Sequence, residues 1–86
     1  MAARIAGQDA RLRDVSYGGV GFELNDDAGT LPGYLNVHLV ESRLELEGEL
    51  IWSARGEDGR SCLGGIALTE GRLPVKAWRR FVDEAG

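Results

Sequence analysis

The chain has 86 residues, enough for one modest hydrophobic core, and its 43% hydrophobic and 28% charged residues are typical of a soluble globular domain. The net charge of −4 argues against general binding to DNA or RNA, which requires a broad basic surface, although a small anionic ligand needs only a few local arginines. The 13 glycines beside 2 prolines favour a β-rich fold, and the single cysteine, Cys62, excludes a disulfide framework and a cysteine-rich metal site.

The amino-terminal part of the chain predicts two short strands separated by a turn. Residues 1–7 are interpreted as the end of a strand that begins upstream, and Gly7 to Asp9 as a polar turn. Residues 11–15 form the next strand, in which Arg11 and Arg13 lie on one face because side chains alternate with a period of two. Either both arginines are solvated strand residues or one of them contacts a phosphate or a guanine.

A polar turn with two glycines follows and leads into a third strand. Asp14 and Ser16 carry oxygens that bond backbone groups two or three residues further on. Gly18 and Gly19 permit positive φ and close approach of another backbone. Residues 20–24 alternate apolar with small or polar side chains, the pattern of a strand with one buried face. The segment therefore predicts a rigid turn between two strands.

The middle of the chain predicts a loop and a fourth strand. Residues 25–33 have the composition of a loop, and Asp26 with Asp27 supplies acidic groups without the ligand spacing of a calcium loop. Residues 34–40 alternate, with leucine and valine on one face and His38 on the other. His38 has no partner at metal-ligand spacing, so the sequence indicates no metal site.

Two more strands joined by a hairpin are expected next. Residues 43–53 form the fifth strand, in which Gly48 interrupts the alternation and predicts a bulge. Gly56 to Gly59 contains an Asp-Gly pair, a strong hairpin signal. Residues 60–68 return as the last strand.

The chain ends in a predicted amphipathic helix of about eleven or twelve residues that begins near Pro74. Its apolar residues, which recur at helical spacing, are Leu73, Ala77, Trp78, Phe81 and Val82. We expect this face to close one end of a barrel, with partner binding as the alternative. The large side chains expected inside the barrel are Phe22 and Trp52.

The segment Asp14-x-Ser16-x-x-Gly19 and the apolar strand after it resemble the second signature of the PilZ domain, a family of small β-barrels that bind the bacterial messenger cyclic di-GMP. The tryptophan-bearing strand, the hairpin, the glycine-containing last strand and the closing helix fit the same family, so the resemblance extends from Ala10 onward. It implies a mainly β fold, a small antiparallel six-stranded split barrel with a C-terminal α-helix.

The resemblance also implies a ligand site. Asp14, Ser16 and Gly19 would hold one edge of a guanine on the barrel surface, since a carboxylate accepts from guanine N1–H and N2–H₂. Arg11 and Arg13 are the candidate cations for the same ligand. The implied ligand is cyclic di-GMP, without cofactor or metal, and the implied role is regulation of motility, adhesion or exopolysaccharide synthesis.

The chain departs from the family in its arginines. PilZ domains that bind the dinucleotide carry Arg-x-x-x-Arg before the first strand, whereas no two arginines here have that spacing and Arg4 lies too near Asp14 to fill the position. Either the motif lies elsewhere, or this is a PilZ-like adaptor that binds protein instead. The short first strand, about residues 3–6, is also expected to leave an apolar edge through which the chain self-associates, with poor binding of the dinucleotide.

No catalytic constellation is evident. Ser16 has no histidine base nearby in sequence, and the glycines from Gly18 to Gly21 open a strand rather than a helix, so a dipole-assisted phosphate cradle is absent. We expect a single domain over residues 1–86 that binds rather than catalyses, located in the reducing cytoplasm and without a membrane span. A small barrel with an unrelated role is the third alternative.

Overall fold

The computed structural model describes residues 2–24, 31–57, 59–69 and 73–85. Its strands are β1 (Ala2–Ile5), β2 (Gln8–Ser16), β3 (Gly19–Leu24), β4 (Tyr34–Leu39), β5 (Glu45–Arg55) and β6 (Cys62–Leu68), followed by one helix, α1 (Val75–Ala85). The strands pair in the antiparallel sense and form a closed barrel in the order β1-β2-β3-β6-β5-β4. The predicted class, a mainly β six-stranded antiparallel barrel with a C-terminal helix, is confirmed.

The first hairpin turns on two residues in the left-handed region. Ala6 and Gly7 have φ of 52° and 80°, as a type I′ turn requires, and the twist of such turns matches that of the flanking strands. Gln8 therefore already pairs with Ile5. The predicted turn from Gly7 to Asp9 lies one residue too late in the chain.

Two other predicted segments fall partly outside the described residues. At the β5–β6 hairpin, the Gly59 N–H donates to the Gly56 carbonyl oxygen at 3.0 Å, and Gly59 has φ of 75°. The hairpin is thus confirmed, although Asp58 lies outside the description. Most of the predicted loop, including the acidic pair considered for calcium, falls on residues 25–30, which are also outside it.

Strand β1 closes the barrel, which contradicts the expectation of an open apolar edge. It pairs with β2 on one side, and on the other side Ala3 and Ile5 pair with Leu39 and Val37 of β4. The side chains of Ala3 and Ile5 point inwards and are 2% and 0% exposed. All four residues of β1 pair with β2, and three of them also pair with β4. The proposed route to self-association, an unpaired edge next to a truncated first strand, is therefore wrong.

The inward faces of the strands form one hydrophobic core. Its buried members from the barrel are Ala3, Ile5, Ala10, Leu12, Val20, Phe22, Leu24, Leu35, Val37, Leu39, Leu46, Ile66 and Leu68. Phe22 is 1% exposed, as predicted. The alternation predicted for β4 is also confirmed, with His38 on the outer face and the leucines and valine inside.

Trp52, in contrast, lies outside the barrel, and its predicted burial is wrong. Its side chain is 51% exposed. Strict alternation from the partly buried Leu50 would place residue 52 inside, but β5 has a bulge between Leu50 and Trp52 that adds Ile51. Leu50 pairs with the buried Ile66, and Trp52 pairs with the next residue of β6, Gly65. One inserted residue thus moves the indole to the outer face.

Helix α1 packs against the barrel with a single fully buried side chain. Trp78 is 0% exposed and belongs to the core, and its ring stacks on that of Phe81 with centroids 5.4 Å apart and an interplanar angle of 17°. Ala77, predicted on the apolar face, is exposed. Within the described residues, no helix combines the length and the apolarity needed to cross a membrane.

Candidate functional site

Four residues on neighbouring strands form a row across the outer face of the barrel. Asp14 of β2 pairs with Gly21 of β3. Gly21 pairs with Gly65 of β6, which in turn pairs with Trp52 of β5. Because neighbouring strands lie about 4.8 Å apart, the backbone row spans about 14 Å. We refer to these four residues as the outer row.

The two glycines let the side chains at the ends of the outer row lean over the sheet. A Cβ atom placed on Gly21 would lie 2.7 Å from Oδ2 of Asp14, and one placed on Gly65 would overlap Nε1 of Trp52. The carboxylate therefore lies over Gly21 and the indole over Gly65. A shallow cavity of about 250 Å³ lies beside the outer row; its lining residues are Arg13, Asp14, Gly21, Phe22, Trp52, Leu63 and Gly64. The arrangement combines an acceptor for N–H groups with a half-exposed aromatic face.

Arg13 reaches this cavity because β2 also contains a bulge. The β2–β3 register shifts between Leu12 and Asp14, which makes Arg13 the extra residue. Leu12 is 5% exposed and faces the core, whereas Asp14 is exposed. The structure thus brings Arg13 and Asp14, both predicted from the sequence, to one cavity and adds Trp52 to them.

Arg11 lies further along β2. It is exposed and pairs across the strands with Glu23, whose opposite charge favours the β2–β3 pairing. Of the two readings that the sequence left open for the arginines, this position favours a solvated strand residue for Arg11. Arg13, in contrast, lines the cavity beside the outer row.

Ser16 and Gly19 belong to the β2–β3 turn. The Ser16 hydroxyl donates to the Gly19 carbonyl oxygen at 3.3 Å. A Cβ atom on Gly19 would lie 2.7 Å from the carbonyl oxygen of Ile66, so glycine is needed because the β6 backbone approaches closely. Neither Gly18 nor Gly19 has a positive φ. The fold therefore requires glycine at position 19 whether or not a ligand binds.

The β2–β3 turn depends on support from neighbouring elements. Since Ser16 pairs with Gly19, Tyr17 and Gly18 form a two-residue loop. Two-residue hairpin loops whose twist suits the strands have positive φ at one or both residues, and neither residue here does. The Gly18 carbonyl oxygen accepts from the N–H of Leu68 at 2.9 Å. The turn is thus tied to β6 on one side.

Helix α1 holds the same turn from the other side. The indole N–H of Trp78 donates to the carbonyl oxygens of both Ser16 and Tyr17, each at 3.1 Å. The Tyr17 hydroxyl donates to Oδ1 of Asp83 at 2.5 Å, and Cζ of Arg79 lies 5.2 Å from the centre of the Tyr17 ring. We call these contacts of Trp78, Arg79 and Asp83 with residues 16 and 17 the helix–turn latch.

The latch perturbs the ionisation of Tyr17. The hydrogen bond to Asp83 raises the pKa of the phenol above its ordinary value of 10.0, partial desolvation and the negative charge of Asp83 act in the same direction, and the charge of Arg79 opposes them. The neutral phenol is therefore the form that the folded protein favours, and it is the form that can donate to the carboxylate.

Metal ligands do not cluster in the described part of the chain. Nδ1 of His38 lies 3.7 Å from Oε1 of Glu45; the His38 side chain is partly exposed and that of Glu45 is largely solvated. Among the described residues, no three histidine, cysteine, aspartate or glutamate side chains come together as a metal site would require.

Sequence reasoning missed Trp52 as a site residue because it assigned the indole to the core. A signal was present in the paired glycines Gly64 and Gly65, which permit close approach of a ligand or a neighbouring group. Comparisons of the chain with protein-family models, with curated proteins and with solved structures gave no significant match. Any functional assignment therefore depends on the outer row itself and on the resemblance carried by the β2–β3 turn.

Proposed function

We propose that this protein is a binding module rather than an enzyme, and that it binds cyclic di-GMP on the outer row as a PilZ-type receptor. The observation that carries the proposal is the placement of the Asp14 carboxylate and the Trp52 indole over two adjacent glycines, next to Arg13. The Asp14-x-Ser16-x-x-Gly19 segment supports the same ligand, because it resembles the PilZ signature.

The chemistry of the outer row suits a guanine. The N1–H and N2–H₂ groups of guanine are neighbouring donors, and a carboxylate with two oxygens can accept from both. A base stacked on an exposed aromatic side chain gains about 1–3 kcal/mol. Asp14 and Trp52 line the same cavity, so that Trp52 can contact the face of the base while Asp14 contacts its edge.

Arg13 supplies the positive charge that a phosphate requires. A guanidinium binds phosphate through two parallel hydrogen bonds, and such charge-assisted bonds are stronger than neutral ones. Arg13 lines the cavity of the outer row, and it also borders a second cavity that contains Glu23 and Glu57. With these two carboxylates nearby, we expect Arg13 alone to give modest affinity, with a dissociation constant on the order of micromolar or weaker.

The proposed cellular role follows from the ligand. A cytoplasmic receptor of this kind would couple the level of the messenger to motility, adhesion or exopolysaccharide synthesis. The protein would change its contacts with other components when the outer row is occupied, without chemical change to the nucleotide.

A second candidate is a protein-interaction adaptor that does not bind the nucleotide. The observation in its favour is exposed apolar surface on β4 and β5, where Tyr34, Ile51 and Trp52 are 49%, 61% and 51% exposed. Exposed aromatic and aliphatic side chains of this kind are enriched at protein interfaces. Both candidates use Trp52, but only nucleotide binding requires Asp14.

Calorimetric titration with cyclic di-GMP tests the proposal and separates the two candidates. Asp14→Asn keeps the size of the side chain but replaces one acceptor oxygen with a donor, so we expect affinity to fall by about 1–3 kcal/mol, or roughly 5- to 150-fold. Asp9→Asn is the matched control, because Asp9 is on the same strand, 91% exposed, and 3.9 Å from Arg4 rather than near the outer row.

The control should bind as the parent does. Equal affinity of the parent and Asp14→Asn would remove the guanine assignment. An absence of binding by the parent at millimolar concentrations would favour the adaptor instead.

A further inference from the structure

The helix–turn latch connects α1 to the hairpin that carries half of the outer row. Asp14 and Gly21 lie on β2 and β3, and the turn between these strands is the part of the hairpin that α1 contacts. Ser16, whose carbonyl oxygen accepts from Trp78, is only two residues after Asp14. A change in the position of the turn is therefore transmitted over a short distance to the Asp14 carboxylate.

The latch and the outer row use different atoms of this hairpin. The latch uses the backbone carbonyl oxygens of residues 16 and 17 and the Tyr17 hydroxyl. The outer row uses the Asp14 carboxylate, which lies over Gly21. A ligand and α1 consequently do not compete for the same groups, and both require the same conformation of the hairpin.

Undocking of α1 would remove several supports together. Trp78 is fully buried, so its departure from the core would withdraw the indole N–H that donates to the two turn carbonyls. The turn lacks the backbone conformation that suits a two-residue hairpin, and β2 is already irregular at the Arg13 bulge. Without α1, fewer contacts fix the β2–β3 turn in the conformation that holds Asp14 over Gly21.

We infer that docking of α1 and occupation of the outer row stabilise each other, so that ligand binding is read out as closure of α1 on the β2–β3 turn. This inference depends on the proposed function, since it concerns the regulation of the same site. Coupling between two sites is reciprocal and commonly changes affinity by about 5- to 150-fold. Tyr17→Phe removes one exposed contact of the latch, so we expect it to change the affinity by an amount at the lower end of that range, about fivefold.

Amide hydrogen exchange on the free protein tests the latch without any ligand. Tyr17→Phe removes the hydroxyl that donates to Asp83 but keeps the ring over which Arg79 lies. Tyr34→Phe is the matched control, because its hydroxyl donates to Thr69 at 3.0 Å instead of to α1. We expect Tyr17→Phe, but not Tyr34→Phe, to accelerate exchange in both α1 and the turn. Trp78→Phe, which removes the indole donor, should accelerate it further.

Addition of cyclic di-GMP then tests the coupling. In the parent protein, saturation should slow the exchange of α1 amides, and Tyr17→Phe should weaken binding about fivefold relative to Tyr34→Phe. Binding that leaves α1 exchange and the affinity of Tyr17→Phe unchanged would overturn the coupling while the proposed function stands.

The remaining outcomes are also distinct. Equal exchange in Tyr17→Phe, Trp78→Phe and the control would show that the latch does not hold the turn, and the inference would fail at its first step. An exchange difference without any binding by the parent would overturn the proposed ligand, and with it the coupling, but would leave the structural link between α1 and the turn in place.

Discussion

Phe22 and Gly64 face each other inside the barrel, and their pairing allows a sharp test of the β3–β6 register. Phe22 is 1% exposed, and a Cβ atom placed on its partner Gly64 would overlap the Phe22 ring. Truncation of a buried phenylalanine to alanine costs about 3–5 kcal/mol. A domain of 86 residues has a total stability of roughly 4–13 kcal/mol, so Phe22→Ala removes a large share of it.

The two positions should not behave independently. In the parent, Gly64→Ala forces a methyl group against the ring, and overpacking of this kind costs about 1–3 kcal/mol. After Phe22→Ala, the same methyl group enters the space that the ring has left, so Gly64→Ala should be neutral or stabilising. The coupling energy of the double-mutant cycle is therefore expected at about 1–3 kcal/mol.

Urea unfolding followed by circular dichroism measures all four corners of the cycle. Gly33→Ala is the matched control, because nothing lies within 4 Å of its added Cβ and its φ is not positive. Phe22→Leu replaces Phe22→Ala if the latter does not fold. Additive costs, with a coupling energy below about 0.5 kcal/mol, would refute the inward placement of Phe22 over Gly64.

Three further predictions concern the outer row, the latch and the first hairpin. Gly65→Ala puts a methyl group where the Trp52 indole lies, so it should weaken cyclic di-GMP binding by about 1–3 kcal/mol in calorimetry through lost stacking, and unchanged affinity would count against the stacking role. The hydrogen bond to Asp83 of α1 raises the pKa of Tyr17, so the stability that this bond contributes should be fully present below pH 10 and should disappear as the pH rises through the pKa of the folded state. Ultraviolet titration of the phenol, assigned with Tyr17→Phe, checks the direction of the pKa shift. Gly7→Ala, at φ of 80°, should cost about 1–2 kcal/mol in thermal unfolding, whereas Gly18→Ala, with open space and no positive φ, should cost close to nothing.

The architecture could be predicted because most strands have a recognisable pattern of alternating residues in their own sequence. Alternating apolar residues in β3 and β4 identified the inward faces, and the spacing of the last apolar residues identified α1. Closure of the barrel was not visible in the same way. The four residues of β1 form a weak pattern, and their pairing with β4 joins segments far apart in the sequence.

The candidate site was only partly predictable for a related reason. Asp14 and Arg13 could be selected because they lie next to a recognisable turn. Trp52 could not, because a single bulge decides whether its side chain faces the core or the solvent, and Gly48 marks an irregularity in β5 without fixing the position of the extra residue. The outer row itself exists only through the cross-strand register of Gly21 and Gly65, which no local pattern specifies.

The most direct test of nucleotide binding at the outer row is a nuclear magnetic resonance titration of ¹⁵N-labelled protein with cyclic di-GMP. The indole N–H of Trp52 and the amides of Gly21 and Gly65 should shift together and saturate at one concentration, and cyclic di-AMP, which lacks the paired guanine donors, should bind more weakly. Resonances that stay in place at millimolar ligand, or shifts confined to the groove between α1 and Leu44, would contradict the proposed site.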